Sequence, residues 1–232
     1  MSRMKQSDPQ DEKAPKRNTR VDGARTRARI IESAGRLIGA NGFAETTSKA
    51  IATAAGVDLA SINYHFGSRD GLYKAVLVEA HRRFITLDEL QAIAGDEGPP
   101  QDKLRRFLDR LVTRALAPKD WNGNVLAREL LSPGSHIEVL FEQEIGPKFR
   151  VLSSVLSEIS GISAGDPALV RCAISVGAPC AMIFVARRNE NPLSRQIDAM
   201  GKDELVDHLL SFALGGLQAI GRDHDKPVSR SD

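Results

Sequence analysis

The sequence predicts an all-α protein with a small helical head and a larger helical body. Three observations carry that expectation. Apolar residues return at helical spacing through segment after segment, the period of an amphipathic helix. Glycine and proline fall between those segments, where a helix must stop. No run of alternating polar and apolar residues is long enough to require a strand, and no internal repeat is evident. Composition agrees: aromatics are only 5% of the chain, and the apolar 41% is mostly Ala, Leu, Ile and Val, a mix that favours helices over a β-sandwich.

Residues 1–21 are polar and offer almost nothing to bury, the composition of a disordered basic arm. A first helix is expected over 24–41, where Ile30, Ile31, Ala34, Leu37 and Ile38 form one stripe and Gly42 supplies the stop. Thr47 caps a second helix over 48–55, which Gly56 ends. Asp58 caps a third over 59–65, and Ser68 caps a fourth that is expected to run on to about residue 90. After a break at Gly95–Pro100, helices are expected over 101–117, 122–132, 135–143 and 145–160, parted by Pro118, Pro133-Gly134 and Gly146-Pro147. Two last helices cover 167–189 and 202–221, with Pro179 expected to kink the first. The expected organisation is an arm at 1–21, a head at 22–68, a body at 69–221 and a flexible tail at 222–232.

Charge is divided unevenly. Up to Arg83 there are 15 Lys/Arg against 9 Asp/Glu, and beyond it 17 against 21. A basic head on an acidic body suits an anionic partner for the head alone, although plain solvation fits the same pattern. Cys172 and Cys180 are too few for a disulfide framework or a zinc cluster and read as small buried hydrophobes. The N-terminus lacks the apolar core of a signal peptide, and the apolar run between Arg171 and Arg187 falls short of the ~20 residues of a spanning helix. The expectation is a soluble, cytoplasmic protein with no membrane partner.

Enzymatic signatures are missing. There is no GxGxxG, GxxxxGK[ST], HExxH or GxSxG, and His65, His81, His136, His208 and His224 lack metal-ligand spacing. No catalytic residue, metal or cofactor is expected.

The informative segment runs from Thr46 to Val76. Two short helices joined by a glycine-containing turn make a helix-turn-helix unit, with Val57 and Ile62 plugging the angle between them. Its second helix then presents Leu59, Ala60, Ser61 and Asn63 to a major groove. Tyr64, His65 and Arg69 lie beside it and suit phosphate oxygens, as do Thr47, Ser48 and Lys49 at the start of the preceding helix. Arg25 and Arg27, upstream, can reach the neighbouring backbone or minor groove. The fold class is therefore an all-α chain with an N-terminal three-helix helix-turn-helix DNA-binding domain and a larger helical domain behind it, for which dimerisation and ligand binding are the expectations taken up below.

These residues resemble the head of the TetR family. The match rests on Gly42-Phe43, Thr47, Ile51-Ala52, Ala55-Gly56-Val57, Tyr64-His65-Phe66, Ser68-Arg69 and Leu72-Tyr73. Asp58 stands where the family usually has Ser, and Arg69 replaces the usual Lys. The stretch Leu126–Pro133 and the closing SFALGGLQAIG are similar to the subgroup typified by the CecR regulators, whose body senses a small molecule. The resemblance implies a regulator, by default a repressor, that binds a palindromic double-stranded DNA operator as a homodimer and is released by a small-molecule effector. A ligand-independent DNA-binding regulator or an activator is the alternative.

Two further sites are expected in the body. Ile174, Gly177, Met182, Leu209, Phe212, Gly216 and Ile220 lie on the last two helices, which are apolar on more than one face and need a symmetric partner. A ligand pocket is expected between the fourth helix and the last but one. Its candidate lining is Phe84, Phe107, Leu111, Trp121, Leu126, Leu130, Phe141 and Phe184, with Arg128, Glu129 and His136 as polar anchors.

Overall fold

The structure, a computed structural model, describes residues 17–131, 136–188 and 190–224. Most of the expected arm, the Pro133-Gly134 break and the end of the tail lie outside those residues. Among the described residues there is no strand, and the elements are helices throughout.

The head is built from α1 (Arg17–Asn41), α2 (Ser48–Ala55) and α3 (Leu59–Phe66). Helix α1 starts at Arg17, seven residues before the expected Ala24. That first part carries no apolar stripe, so periodicity cannot report it; Val21 is exposed. The caps form as the side-chain chemistry requires. Thr47 accepts a hydrogen bond from Ala50 N–H at 3.1 Å, and Gly56 ends α2 at φ +62°, a conformation costly for any residue with a Cβ.

Helix α4 (Arg69–Arg82) is shorter than expected, and α5 (Leu87–Ala94) is a separate element. The reason is local. Thr86 and Glu89 form a reciprocal capping box that starts a new helix in the middle of the apolar pattern. The body continues with α6 (Pro100–Leu116), α7 (Trp121–Leu131) and α8 (Ile137–Leu140). The chain then passes through one π-helical turn, Phe141–Ile145, straight into α9 (Gly146–Ser160). Gly146-Pro147 is thus a widening and not the expected break. Pro147 has no N–H for the preceding turn, and Gly146 N–H reaches back to Phe141 O instead.

Helix α10 (Pro167–Ala186) continues on both sides of Pro179. A short helix not expected from the sequence, α11 (Pro192–Ala199), follows, capped by Asn191 with proline in its first turn. Helix α12 (Lys202–His224) outlasts its expected end at 221, and His224 Nε2 lies 3.0 Å from Asp166 Oδ2 at the cap of α10.

Two apolar cores result. One joins α6, α9, α10 and α12 through Leu104, Leu108, Val112, Leu156, Leu169 and Leu217. The other joins the head to α4 and α7, burying Ile30, Ile38, Ile51, Ile62, Leu72 and Val76 together with Trp121 and Val125. Trp121 reaches into this second core because position 35 is glycine: a Cβ there would lie 2.3 Å from the indole ring.

Candidate nucleic-acid interface and body cavity

Helix α3 is anchored by Ile62, which is fully buried, and by its cap. The Asp58 carboxylate accepts from Ser61 N–H at 2.7 Å and from the Ser61 hydroxyl at 2.6 Å. Those two bonds hold the Asp58 carboxyl below its ordinary range, so it stays ionised as the cap of the helix. The opposite face of α3 is free. Leu59, Ala60 and Asn63 are exposed, and Tyr64 is 86% exposed, more than a tyrosine with an intramolecular task would be. Ser61 is half-buried with its hydroxyl committed to Asp58. His65 is half-buried with its ring 5.1 Å from that of Tyr64.

Around this face stand the other candidates. Thr47 and Lys49 are exposed, and Ser48 is half-buried in the first turn of α2. Arg25 and Arg27 are exposed on α1, with the Arg27 guanidinium 5.2 Å from the centre of the Phe66 ring. Arg69, an expected phosphate contact, is engaged within the chain. Its guanidinium donates to Thr46 O at 3.1 Å, to Ala44 O at 3.2 Å and to Phe43 O, and lies 4.2 Å above the Phe43 ring. It therefore clamps the loop between α1 and α2. Partners 23 to 26 residues away are invisible to a local reading.

The head is tied to the body through α7. Arg128 donates to Gly39 O at 3.2 Å and Ala40 O at 2.9 Å, capping the carbonyl end of α1. Its neighbour Glu129 is buried and accepts from the Tyr73 hydroxyl at 2.9 Å. Burial and the Glu129 carboxylate both push the Tyr73 phenol up, so the hydroxyl remains a donor. The Tyr73 ring stacks on Phe43, 4.3 Å between centroids and 17° between planes. An unbroken series of contacts thus runs from Glu129 to the Arg69-clamped loop that leads into α2.

Behind Glu129 lies a cavity of about 220 Å³. Of the expected lining residues, Phe84, Leu111, Leu126, Leu130 and Phe184 stand on its wall, as does the expected polar residue Glu129. Phe107, Trp121 and Phe141 do not. Phe107 is buried in the body core, Trp121 fills the space above Gly35, and Phe141 is exposed on the π turn. Arg128 faces α1, and His136 packs edge-on against Tyr73 and Phe43. His81, Ile85, Ile137 and Leu140 complete much of the wall, and Gly177, an expected dimer residue, also borders it.

His81 backs onto a buried ion cluster that the sequence did not reveal. Lys148 Nζ is 2.9 Å from His81 Nδ1 and 2.7 Å from Glu144 Oε2, and Arg82 Nε is 2.7 Å from Glu144 Oε1. Burial opposes ionisation of Glu144, yet bonds from His81, Lys148 and Arg82 hold its carboxyl down to about 2. Burial pushes His81 and Lys148 down. Glu144 and Lys148 sit at i, i+4, a spacing visible in the sequence; what could not be seen is that both are buried.

The outer face of α10 and α12 is apolar and open. Ile174, Met182, Phe212 and Ile220 are exposed, while Leu209 is half-buried against the body core. At Gly177 and Gly216 a Cβ would meet nothing within 4 Å. By length and composition alone α10 could cross a membrane, contrary to the sequence expectation, and 33% of its most apolar stretch is buried within this chain.

A capped pair of short helices with one face held in the core and the other free is the geometry that enters a major groove. The class so defined is the helix-turn-helix transcriptional regulator. Residues 30–76 match the model of the bacterial regulatory proteins of the tetR family, and residues 100–217 match that of the C-terminal domain of the HTH-type transcriptional dual regulator CecR. The chain belongs to the TetR family of regulators and carries a CecR-type C-terminal domain. It is 26% identical over 162 residues to the HTH-type transcriptional dual regulator CecR of Shigella flexneri, covering 65% of this chain and 71% of the relative. Its fold resembles that of a chain from Pseudomonas aeruginosa PAO1, assigned as a transcriptional regulator: TM-score 0.70 and 18% identity over 91% of this chain and 99% of the other. The FadR regulator of Bacillus subtilis, solved in complex with stearoyl-CoA, is also similar in fold. There the TM-score is 0.62 and the identity 16%, over 82% of this chain and 98% of that one.

Proposed function

We propose that this DNA-binding regulator works in the cytoplasm as a homodimeric repressor on a palindromic operator, and that a small molecule in the body cavity releases it. The observation that carries this reading is the link from Glu129 on the cavity wall through Tyr73 and Phe43 to the loop before α2. A ligand that moves Glu129 acts on the seat of the recognition helices, and differential binding to two placements of the head is what a switch requires. The stearoyl-CoA complex of a regulator with this fold supports a body that takes ligands. The open apolar face of α10 and α12 supports pairing with a second copy through a four-helix bundle. Tyr64 and Lys49 contact phosphates, and Leu59, Ala60 and Asn63 meet base edges.

The head assignment separates two residues that sequence alone places together. Tyr64→Ala is expected to weaken binding to every duplex about tenfold, with no change in melting temperature. Arg69→Ala is expected to lower the melting temperature, since three carbonyls lose a charged donor. Gel shifts at several salt concentrations and thermal melts of both variants check this. A stable Arg69→Ala protein with lost DNA affinity would return Arg69 to the phosphate contacts.

The coupling is tested with Tyr73→Phe and a compound that raises the melting temperature in a thermal-shift screen. In the unmodified chain the compound is expected to lower operator affinity by ~5–150-fold. In Tyr73→Phe it is expected to bind as before while that drop shrinks severalfold. An undiminished drop would remove Tyr73 from the route.

A further inference from the structure

We propose that the body cavity takes a compact apolar acid as its carboxylate, with the hydrocarbon inside and the carboxylate held by Arg188 and Arg114 beyond the rings of Phe84 and Phe184. The proposal rests on the effector reading above and names the chemistry of the effector.

Two hollows meet at those rings. The cavity of about 220 Å³ is smaller than the ~300–1,000 Å³ of most small-molecule sites, so its occupant is compact. Leu111, Leu126, Ile137 and Leu140 on its wall select a hydrocarbon or aromatic body. Beside it lies a second hollow of about 30 Å³, room for a small polar head and little more. Phe84 and Phe184 border both and form the wall the two share. Their rings meet edge to face, 4.8 Å between centroids and 90° between planes. Phe184 is seated on Gly123, where a Cβ would come within 2.8 Å of its ring. Phe84 belongs to the connection between α4 and α5, outside either helix, and is the ring freer to turn. Its neighbour Arg83 bonds Glu32 of α1 at 3.1 Å, so turning Phe84 bears on the head.

The smaller hollow is basic. Arg114, Lys119, Arg187 and Arg188 line it, against Asp120 alone among the described residues; Glu129 borders the larger hollow and not this one. Two of these charges are engaged elsewhere. Arg187 pairs with Asp198 and donates to Ala115 O and Ala117 O. The Asp120 carboxylate caps α7, accepting from Gly123 N–H at 2.9 Å and from Asn122 Nδ2 at 2.7 Å. Arg188 is half-buried and makes no hydrogen bond or ion pair among the described residues. Burial and the charge of Arg128 both push its guanidinium down from the ordinary value, yet an arginine stays charged at neutral pH. Arg114 comes no closer than 3.8 Å to Asp120, and its Nε is buried with no acceptor among the described residues. A half-buried cation that feels a second cation and meets no acid is relieved by an anion, because the folded chain has already borne part of the desolvation. A carboxylate accepts two parallel N–H bonds from one guanidinium, which neither an ammonium nor an amide can do. An acid of this build puts its oxygens at Arg188 and Arg114 and its hydrocarbon past Phe84.

The test uses the full chain and three probes of matched shape: 4-phenylbutyrate, 4-phenylbutyramide and 4-phenylbutylamine at neutral pH, read by thermal shift and calorimetric titration. The acid is expected to bind about tenfold or more tightly than the amide, and the amine to bind weakest. Acetate, which carries the head alone, is expected to leave the melting temperature unchanged. Arg188→Gln removes the charge from a side chain that holds no other residue in place; it is expected to erase the preference for the acid while the amide still binds. Ala181→Phe, which fills the larger hollow from α10, is expected to abolish binding of all three with Arg188 intact. The ranking in the unmodified chain stands independently of either variant. Equal binding of acid and amide, a preference that survives Arg188→Gln, or acetate matching the acid overturns the acid assignment and leaves the effector cavity standing. Binding that survives Ala181→Phe, or no stabilisation by any of the three probes at millimolar concentration, overturns the cavity reading and this proposal with it.

Discussion

A chain carrying both Ile174→Glu and Phe212→Glu is expected to be a folded monomer that has lost operator affinity by about a thousandfold or more. The two positions are 63% and 72% exposed in the single chain, so the substitutions touch little of its own packing, and the melting temperature of the monomer should barely move. A two-fold dimer through α10 and α12 would bring each position in twice. Four carboxylates would then enter one desolvated face with no cation to meet them, a heavier penalty than an interface of this kind can absorb. Operator binding falls with the dimer because each half-site supplies part of one summed binding energy, and a lone head retains little beyond non-specific attraction to phosphate. Sedimentation at micromolar concentration and gel shifts on the same samples check both halves. A variant that remains dimeric would move the interface off this face.

Glu144→Leu is expected to cost about 3–5 kcal/mol, a large share of the ~5–15 kcal/mol that holds a domain folded. Glu144 is 4% exposed and Lys148 6%, so removing the carboxylate leaves a buried ammonium beside the His81 ring with its counter-charge gone. Glu144→Leu combined with Lys148→Met should regain most of the loss, since the pair is then replaced by apolar groups of similar volume. Acid acts on the same cluster. The Glu144 carboxyl is lowered from 4.5 to about 2, so its contribution is complete above pH 4.5 and is lost as pH falls from there towards 2. His81 is lowered from 6.5, so the unfolded chain takes up a proton first and stability begins to fall below pH 6.5. Urea melts of the unmodified chain should weaken in two stages between pH 7 and pH 3. In the double variant the lower stage should flatten. An unchanged lower stage would locate the acid sensitivity elsewhere.

The head was legible because each of its boundaries has a local cause. Thr47, Gly56, Asp58 and Ser68 act within three or four residues of themselves, and the buried stripe of Ile30, Ala34 and Ile38 repeats at helical spacing. The body was less so. The apolar pattern of α4 runs on past Arg83, and only the reciprocal bond between Thr86 and Glu89 decides that a new helix starts. Helix α11 carried the same sort of cue in Asn191, Pro192 and Ser194, within a stretch read as a connection. The cavity was half legible. Its apolar residues could be named, but which of Phe84, Phe107 and Phe141 faces the hollow is settled by packing between helices remote in sequence. Arg69 shows the same limit in the head, since its partners become visible only once α1, α2 and α4 are assembled.

The indole of Trp121 occupies the volume that a side chain at position 35 would need, and the two positions belong to different parts of the chain. Neither residue can then be judged alone. A methyl group at 35 is expected to be harmful with Trp121 present and tolerable with a smaller residue in its place, so effects at the two sites do not add. Exchanging the first 68 residues for those of another regulator would import a new residue 35 against an old residue 121. The segment that can be transplanted between such proteins is therefore the head together with α7, and lineages that recombine heads and bodies must carry that helix along or repair the fit afterwards.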